Sequence, residues 1–185
     1  NFVLDTTNLR EKIHKLGWFI EGSSKRLINI KVIGDLGNNC FSEGKYISVE
    51  IYGNVGSSCG SDVKYSSLII DGNADEWCCY NAENSSFIIN GSTKDKCGHN
   101  AKKSHYIIKG DAIFNIRYFH AENSSYRIDG DLSGTNFVGG CSNCEFLTSN
   151  RRTLRKLLQF DLKEGTSNRI YFIRANGTKK LRWSN

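Results

Sequence analysis

Proline and methionine are both absent from this 185-residue chain. Without proline, no turn depends on a ring-fixed φ, and the bends must come from glycine and small polar residues. Without methionine, the interior must be built from aliphatic, aromatic and cysteine side chains. No apolar run approaches the roughly 20 residues that cross a bilayer, and residues 1–10 carry no basic-then-apolar leader pattern. The expectation is a soluble, cytoplasmic protein with no membrane span.

Seven cysteines are an odd number without compact framework spacing, so free thiols in a reducing compartment are expected. Four N-x-S/T sequons begin at Asn84, Asn90, Asn123 and Asn176; in a chain this rich in Asn and Ser they read as coincidence. The length suits one domain with small terminal additions. The net charge of +6 is unevenly spread: residues 151–185 hold ten Lys or Arg against two acids, whereas residues 30–150 hold ten against fourteen.

What the chain has is a repeat. Glycine followed by a small polar residue recurs at Gly34, Gly53, Gly72, Gly91, Gly110 and Gly130, with steps of 19, 19, 19, 19 and 20. Two positions before each glycine stands Val32, Ile51, Ile70, Ile89, Ile108 or Ile128. Four before stands Ile30, Val49, Leu68, Phe87, Tyr106 or Tyr126, and two after stands Leu36, Val55, Ala74, Thr93, Ala112 or Leu132. Apolar residues two apart mark a strand showing one face to a core. Nineteen residues are too few for a helical hairpin and suit a coil of short strands whose stacking places strands about 4.8 Å apart. Leucine-rich repeats share this length, but their leucine consensus is missing. An all-β, right-handed parallel β-helix over 30–148 is predicted.

Cys40, Cys59, Cys78 and Cys97 each fall six residues after their glycine, with Ile116 in the next equivalent place. An isoleucine replacing the thiol marks an inward, apolar column, a structural ladder. The competing reading is a metal or redox site from Cys78, Cys79, Cys97 and His99, or from the C-x-x-C of Cys141 and Cys144. A lone C-x-x-C falls short of the four ligands zinc wants. No metal or cofactor is expected. The pentapeptide at 82–86 recurs at 121–125, which reads as a corner, since a solenoid bends in every coil and Asn tolerates the left-handed backbone.

Both ends read as covers for exposed strand edges. Asp5, Thr6 and Thr7 are placed to cap a short helix with Leu9, Ile13 and Leu16 on one face and Gly17 at its close, making 1–29 an N-terminal cap. Over 149–185, a helix spans 151–160 with Leu154, Leu157 and Leu158 as its stripe. Gly165, a strand at 169–173 and a turn at Asn176-Gly177 follow. Arg151, Arg152, Arg155, Lys156, Lys179, Lys180 and Arg182, with Trp183 beside them, form a candidate anion contact, for RNA, an anionic membrane or an acidic partner; nucleic acid is the less favoured reading.

The run Gly53-Asn54-Val55-Gly56, then Gly60, then residues 68–74 resembles the glycine-rich coil that ends the large subunit of glutamate synthase; formylmethanofuran dehydrogenase has a similar β-helix in one of its subunits. The lead-in at 4–7 and 28–32 is similar to that of free-standing versions of the domain. The resemblance covers 4–147. It departs from the family at Asp75, Cys79 and Lys94, where second and third glycines are usual, and at Val63, Ala82, Ala101 and Ala121, where methionine is common. The resemblance implies a non-catalytic assembly module of nitrogen or one-carbon metabolism, partnered by separate catalytic subunits or self-associating, and it carries over no catalytic residue. A polysaccharide-active β-helix would need carboxylates or basic residues clustered on one outer face. Asp71 and Asp129 stand before repeat glycines, but Asn90 and Lys109 occupy the places between them.

Overall fold

The computed structural model describes residues 1–114, 118–134, 138–159 and 167–184. Along the chain run β1 (Phe2–Asp5), β2 (Ile28–Ile33), β3 (Ile47–Tyr52), β4 (Ser67–Ile70), β5 (Ser86–Ile89), β6 (Ala101–Lys102), β7 (His105–Ile108) and β8 (Ala112–Ile113). Then come β9 (Tyr118–Glu122), β10 (Ser125–Ile128), β11 (Leu132–Ser133), β12 (Val138–Ser142), β13 (Glu145–Thr148), helix α1 (Arg151–Leu157), β14 (Arg169–Ile173) and β15 (Lys179–Ser184). The main sheet has the order β1-β2-β3-β4-β5-β7-β10-β13-β14-β15, parallel throughout except for the antiparallel β14–β15 pair. Two smaller parallel ladders, β8–β11 and β6–β9–β12, form further walls. The architecture is a β-solenoid of stacked coils, about 6 turns long. Among the described residues no helix is long and apolar enough to cross a membrane.

Register explains the repeat. Val32, Ile51, Ile70, Ile89, Ile108 and Ile128 form one buried column, and the residues four before the glycines form another, half-buried at Ile30 and buried from Val49 onward. Stacking also explains the glycines themselves. A Cβ on Gly110 would lie 2.6 Å from the backbone carbonyl of Gly91, and one on Gly72 would lie 2.6 Å from the oxygen of Gly53. Neighbouring coils approach too closely there for any side chain.

Interior volume is balanced across each coil. The rings of Phe87, Tyr106, Tyr126 and Phe146 stack face to face at 4.8, 4.9 and 5.4 Å, the spacing of the rungs that carry them. Opposite them stands Gly98, where a Cβ would come within 2.9 Å of both tyrosine rings. The buried hydroxyls of Tyr106 and Tyr126 donate to the carbonyls of Cys79 and Gly98 at 3.0 and 2.8 Å.

The short N-terminal helix expected between the Asp5-Thr6-Thr7 cap and Gly17 does not form. Residues 2–22 instead make a further coil: β1 pairs with β2, Ile13 bridges Leu36, and Glu21 bridges Lys45. The backbone bonds sideways to the next coil through Gly37 N–H to Ile13 O, Phe41 N–H to Leu16 O and Lys45 N–H to Ile20 O. A helix of two turns is marginal alone, and the open edge of the solenoid offers the same groups a ladder. The cap placed at 1–29 is thus the first coil, and the solenoid begins at Phe2 rather than residue 30.

At the far end α1 forms, with Asn150 as its N-cap accepting from Arg152 and Thr153 N–H at 2.8 and 3.2 Å. Leu154 and Leu157 are buried, whereas Leu158 closes the helix and is exposed. The expected strand and turn are β14 and the 174–178 reversal, followed by β15. Ile116, Phe160 and Gly165 lie outside the described residues.

Candidate functional site

The cysteines face inward. Cys40, Cys59, Cys78 and Cys97 are buried and free, as are Cys79, Cys141 and Cys144. Burial pushes the Cys59 thiol up and raises that of Cys79 to about 11. The hydrogen bond that Cys78 donates to Cys79, reinforced by burial, raises Cys78, whose sulfur is 3.5 Å from that of Cys79. Such thiols are small hydrophobes rather than nucleophiles. Cys141 and Cys144 serve two columns around one corner. Cys141 extends Ala101 and Ala121, while Cys144 takes the place of a serine. The hydrogen bond between these two thiols raises Cys141 and lowers Cys144. Among the described residues no three of His, Cys, Asp and Glu converge as a metal would require.

Two polar ladders consume much of the remaining chemistry. At the corner, Ser66, Ser85, Ser104 and Ser124 are buried, and each hydroxyl accepts from the coil before it: from Ile47, Ser66, Ser85 and Ser104 N–H at 3.2, 3.1, 3.3 and 3.1 Å. Asn168 ends the column by accepting from Cys144 N–H at 3.0 Å. The preceding residues Tyr46, Tyr65, Asn84, Lys103, Asn123 and Asn143 all hold left-handed φ between 48° and 53°. The corner therefore imposes this conformation on Tyr and Lys as well as Asn. The second ladder is the small polar residue after each repeat glycine. Asp35, Asn54, Asn73, Ser92 and Asp111 accept in turn from the N–H of Asn54, Asn73, Ser92, Asp111 and Asp131, at 2.7–3.0 Å.

Outward positions are more varied. Asp71 accepts from Asn90 at 2.7 Å, and Asp129 receives Arg127 in a fork at 3.0 Å, so each carboxylate is engaged by its neighbour and no acid–base pair is assembled. Asp75 and Lys94, two of the departures from the glycine pattern, form an ion pair at 2.9 Å between adjacent coils. Trp77, Tyr80, His99 and His120 make a ring cluster on another wall, with Lys96 over Trp77 at 3.7 Å. Burial, then the charges of His120 and Lys96, lower His99 to about 4.

The basic tail is divided between two elements. Arg151, Arg152, Arg155 and Lys156 belong to α1, and Lys179, Lys180 and Arg182 to β15. Arg152 binds Asp131 at 2.8 Å and Lys179 reaches Glu145 at 3.9 Å. Trp183 packs against the core rather than standing out beside the cations as an accessory ring.

One surface feature is not conspicuous in the repeat itself. Three positions before each glycine the side chain faces outward, and Ile69, Ile88 and Ile107 occupy successive rungs there. Ile69 is exposed, and the other two are half-buried. The signal for it is the doubled aliphatics at 69–70, 88–89 and 107–108. Compared with family models, curated proteins and solved structures, the chain matches none. Its class is defined by architecture, a parallel β-solenoid with a helix-and-hairpin C-terminal end.

Proposed function

We propose that the chain is a non-catalytic structural module that docks a protein partner on the outer face of its main sheet. The observation that carries this reading is the outward stripe of Ile69, Ile88 and Ile107, in register on three adjacent strands. At about 4.8 Å per rung it spans about 10 Å of flat apolar surface on a rigid support. The equivalent positions on either side are charged, Lys31 and Glu50 before and Arg127 after, which supplies a polar rim. The inward burial of all seven thiols is consistent with a module that performs no thiol chemistry. The resemblance to the glutamate synthase domain directs the search for the partner toward separately encoded catalytic subunits.

The test is purification from native extract under reducing conditions, with wild type and Ile88→Glu side by side. Recovery of a flavin-binding synthase subunit or glutaminase-like subunit in fixed ratio, lost in the variant, is the expected result. A wild-type chain that is consistently recovered alone would sink the proposal.

A further inference from the structure

The outward column that holds the isoleucine stripe does not stop at Ile107. Register continues it through Arg127 to Leu147 and Tyr171, on β10, β13 and β14. Strand alternation turns Leu147 away from the core, opposite in direction to its buried neighbour Phe146, yet Leu147 is only 7% exposed where Ile69 is 37% exposed. The hairpin beside it explains the difference. The reversal at 174–178 joins β14 to β15 and rises over the outer face, so that one groove of about 580 Å³ is lined by Ile107 and Leu147 on the sheet and by Ile173, Arg174 and Lys179 on the hairpin.

This groove has an apolar floor and a cationic wall. Arg127 is held by Asp129 at 3.0 Å, and Glu145 is shared by Arg169 at 3.7 Å and Lys179 at 3.9 Å. Arg174 is exposed and, among the described residues, enters no ion pair. Four cations thus stand against two carboxylates, with the surplus where the apolar column runs under the hairpin. Arg174 is also presented from a tight reversal: its N–H donates to Thr178 O at 3.0 Å and its carbonyl accepts from Gly177 N–H at 2.8 Å.

We infer that the partner segment docking on the stripe is acidic as well as apolar, with its apolar side chains on Ile69, Ile88 and Ile107 and an Asp or Glu beyond them entering the groove to meet Arg174 and Lys179. This assignment rests on the stripe being the docking face of the proposed function, and it adds the chemistry of what docks. Charge complementarity selects the occupant. A basic segment would add to the surplus. A purely apolar one would leave Arg174 partly desolvated without a partner, a cost that a carboxylate removes through a charge-assisted hydrogen bond. A nucleic-acid strand would satisfy the cations, but it meets isoleucines where its bases would stack on aromatic rings. From β4 to β14 the sheet order has five steps, which at about 4.8 Å per rung is about 24 Å, the reach of an extended segment of about seven residues.

The full chain, presented with a random library of peptides of roughly twelve residues, longer than that span, tests it. Sequencing the retained peptides should show apolar residues combined with Asp or Glu, and depletion of Lys and Arg. Binding of a retained peptide, followed by fluorescence anisotropy, should weaken roughly tenfold or more in Arg174→Glu and be lost in Ile88→Glu, with unchanged circular dichroism spectra. Lys109→Glu makes an equal change of net charge at an exposed cation outside the groove and should bind like wild type. Retained peptides that are apolar but indifferent to acidic residues would keep the docking face and overturn the acidic assignment; a library from which nothing is retained would overturn both. Acidic peptides that lack apolar residues and bind Ile88→Glu equally well, or a loss in Lys109→Glu as large as that in Arg174→Glu, would reduce the groove to unspecific cationic surface and overturn the inference.

Discussion

Ser104 is the most exacting test of the corner ladder. It is fully buried, and its hydroxyl accepts from Ser85 N–H at 3.3 Å while donating to the carbonyls of Lys102 and Ala82 at 2.9 and 3.2 Å. In Ser104→Ala both carbonyls keep a backbone donor, since Asn84 N–H still bonds Lys102 O and Lys102 N–H still bonds Ala82 O. The buried Ser85 N–H, by contrast, loses its acceptor, and an orphaned buried donor costs about 1–3 kcal/mol. The expected loss is about 2 kcal/mol, which lowers the urea midpoint by about 1 M at an m-value of about 2 kcal/mol/M. Ser104→Cys should lose about half as much, because a sulfur is a weaker acceptor and Cys144 already fills this column one coil beyond Ser124. Ser86→Ala, at an exposed outward position, serves as the control and should change stability by less than about 0.5 kcal/mol. If Ser104→Ala unfolded at the same urea concentration as Ser86→Ala, the ladder would be ornamental and the reasoning wrong.

Gly110→Ala places a Cβ 2.6 Å from the Gly91 carbonyl on the adjacent coil; a cost of about 3 kcal/mol should lower the thermal midpoint by about 6–12 °C, read by circular dichroism. His99 is held neutral, near 4, against an ordinary value of about 6.5 when unfolded. Its contribution is therefore fully present above about pH 6.5 and is lost as the pH falls toward 4, where the unfolded chain binds a proton that the folded chain does not. Discounted for the ring's partial exposure, this loss should be about 1–2 kcal/mol, and His99→Gln should flatten that part of the stability–pH curve. The seven buried thiols should be inert to Ellman's reagent in the folded chain and should all react in guanidinium chloride; one fast-reacting thiol in native buffer would refute the inward ladder.

The repeat was legible because stacking makes each position answer to the one above it. A glycine at a rung crossing, an aliphatic two before it and a small polar residue after it recur because the coil spacing leaves no alternative. The first coil was not legible for the same reason in reverse. Two insertions, one between Thr6 and Ile13 and one around the Ser23–Arg26 turn, separate Leu4 from its partner Val32 by more than one period. What remained was Leu9, Ile13 and Leu16, a spacing that mimics a helix. Only Ile13 and Leu16 of these pack on the core, and Leu9 is exposed. β15 was missed because Lys179, Lys180 and Arg182 interrupt the apolar alternation, although an edge strand is where such charges are tolerated. The divergent pentapeptide sites became clear only in three dimensions, where left-handed φ at Tyr46, Tyr65 and Lys103 shows that the stack, not the residue, sets the corner.

The same stacking separates the part of the sequence that keeps the fold from the part free to acquire a function. Two positions before each glycine the residue is Val or Ile in every coil, because it fills a column with fixed spacing and no access to water. Three positions before, on the same strands, the residues are Lys31, Glu50, Ile69, Ile88, Ile107 and Arg127. Lysine, glutamate and arginine at three of these places establish that the fold accepts charge there. Isoleucine at the three central places is consequently not demanded by the core, and one exposed aliphatic side chain would need no explanation. Three in register form an apolar patch whose solvent exposure is a liability on a flat, rigid sheet face. A surface retained against that liability is where binding is to be sought, and charge introduced at Ile88 should therefore alter association while leaving the stability of the solenoid nearly unchanged.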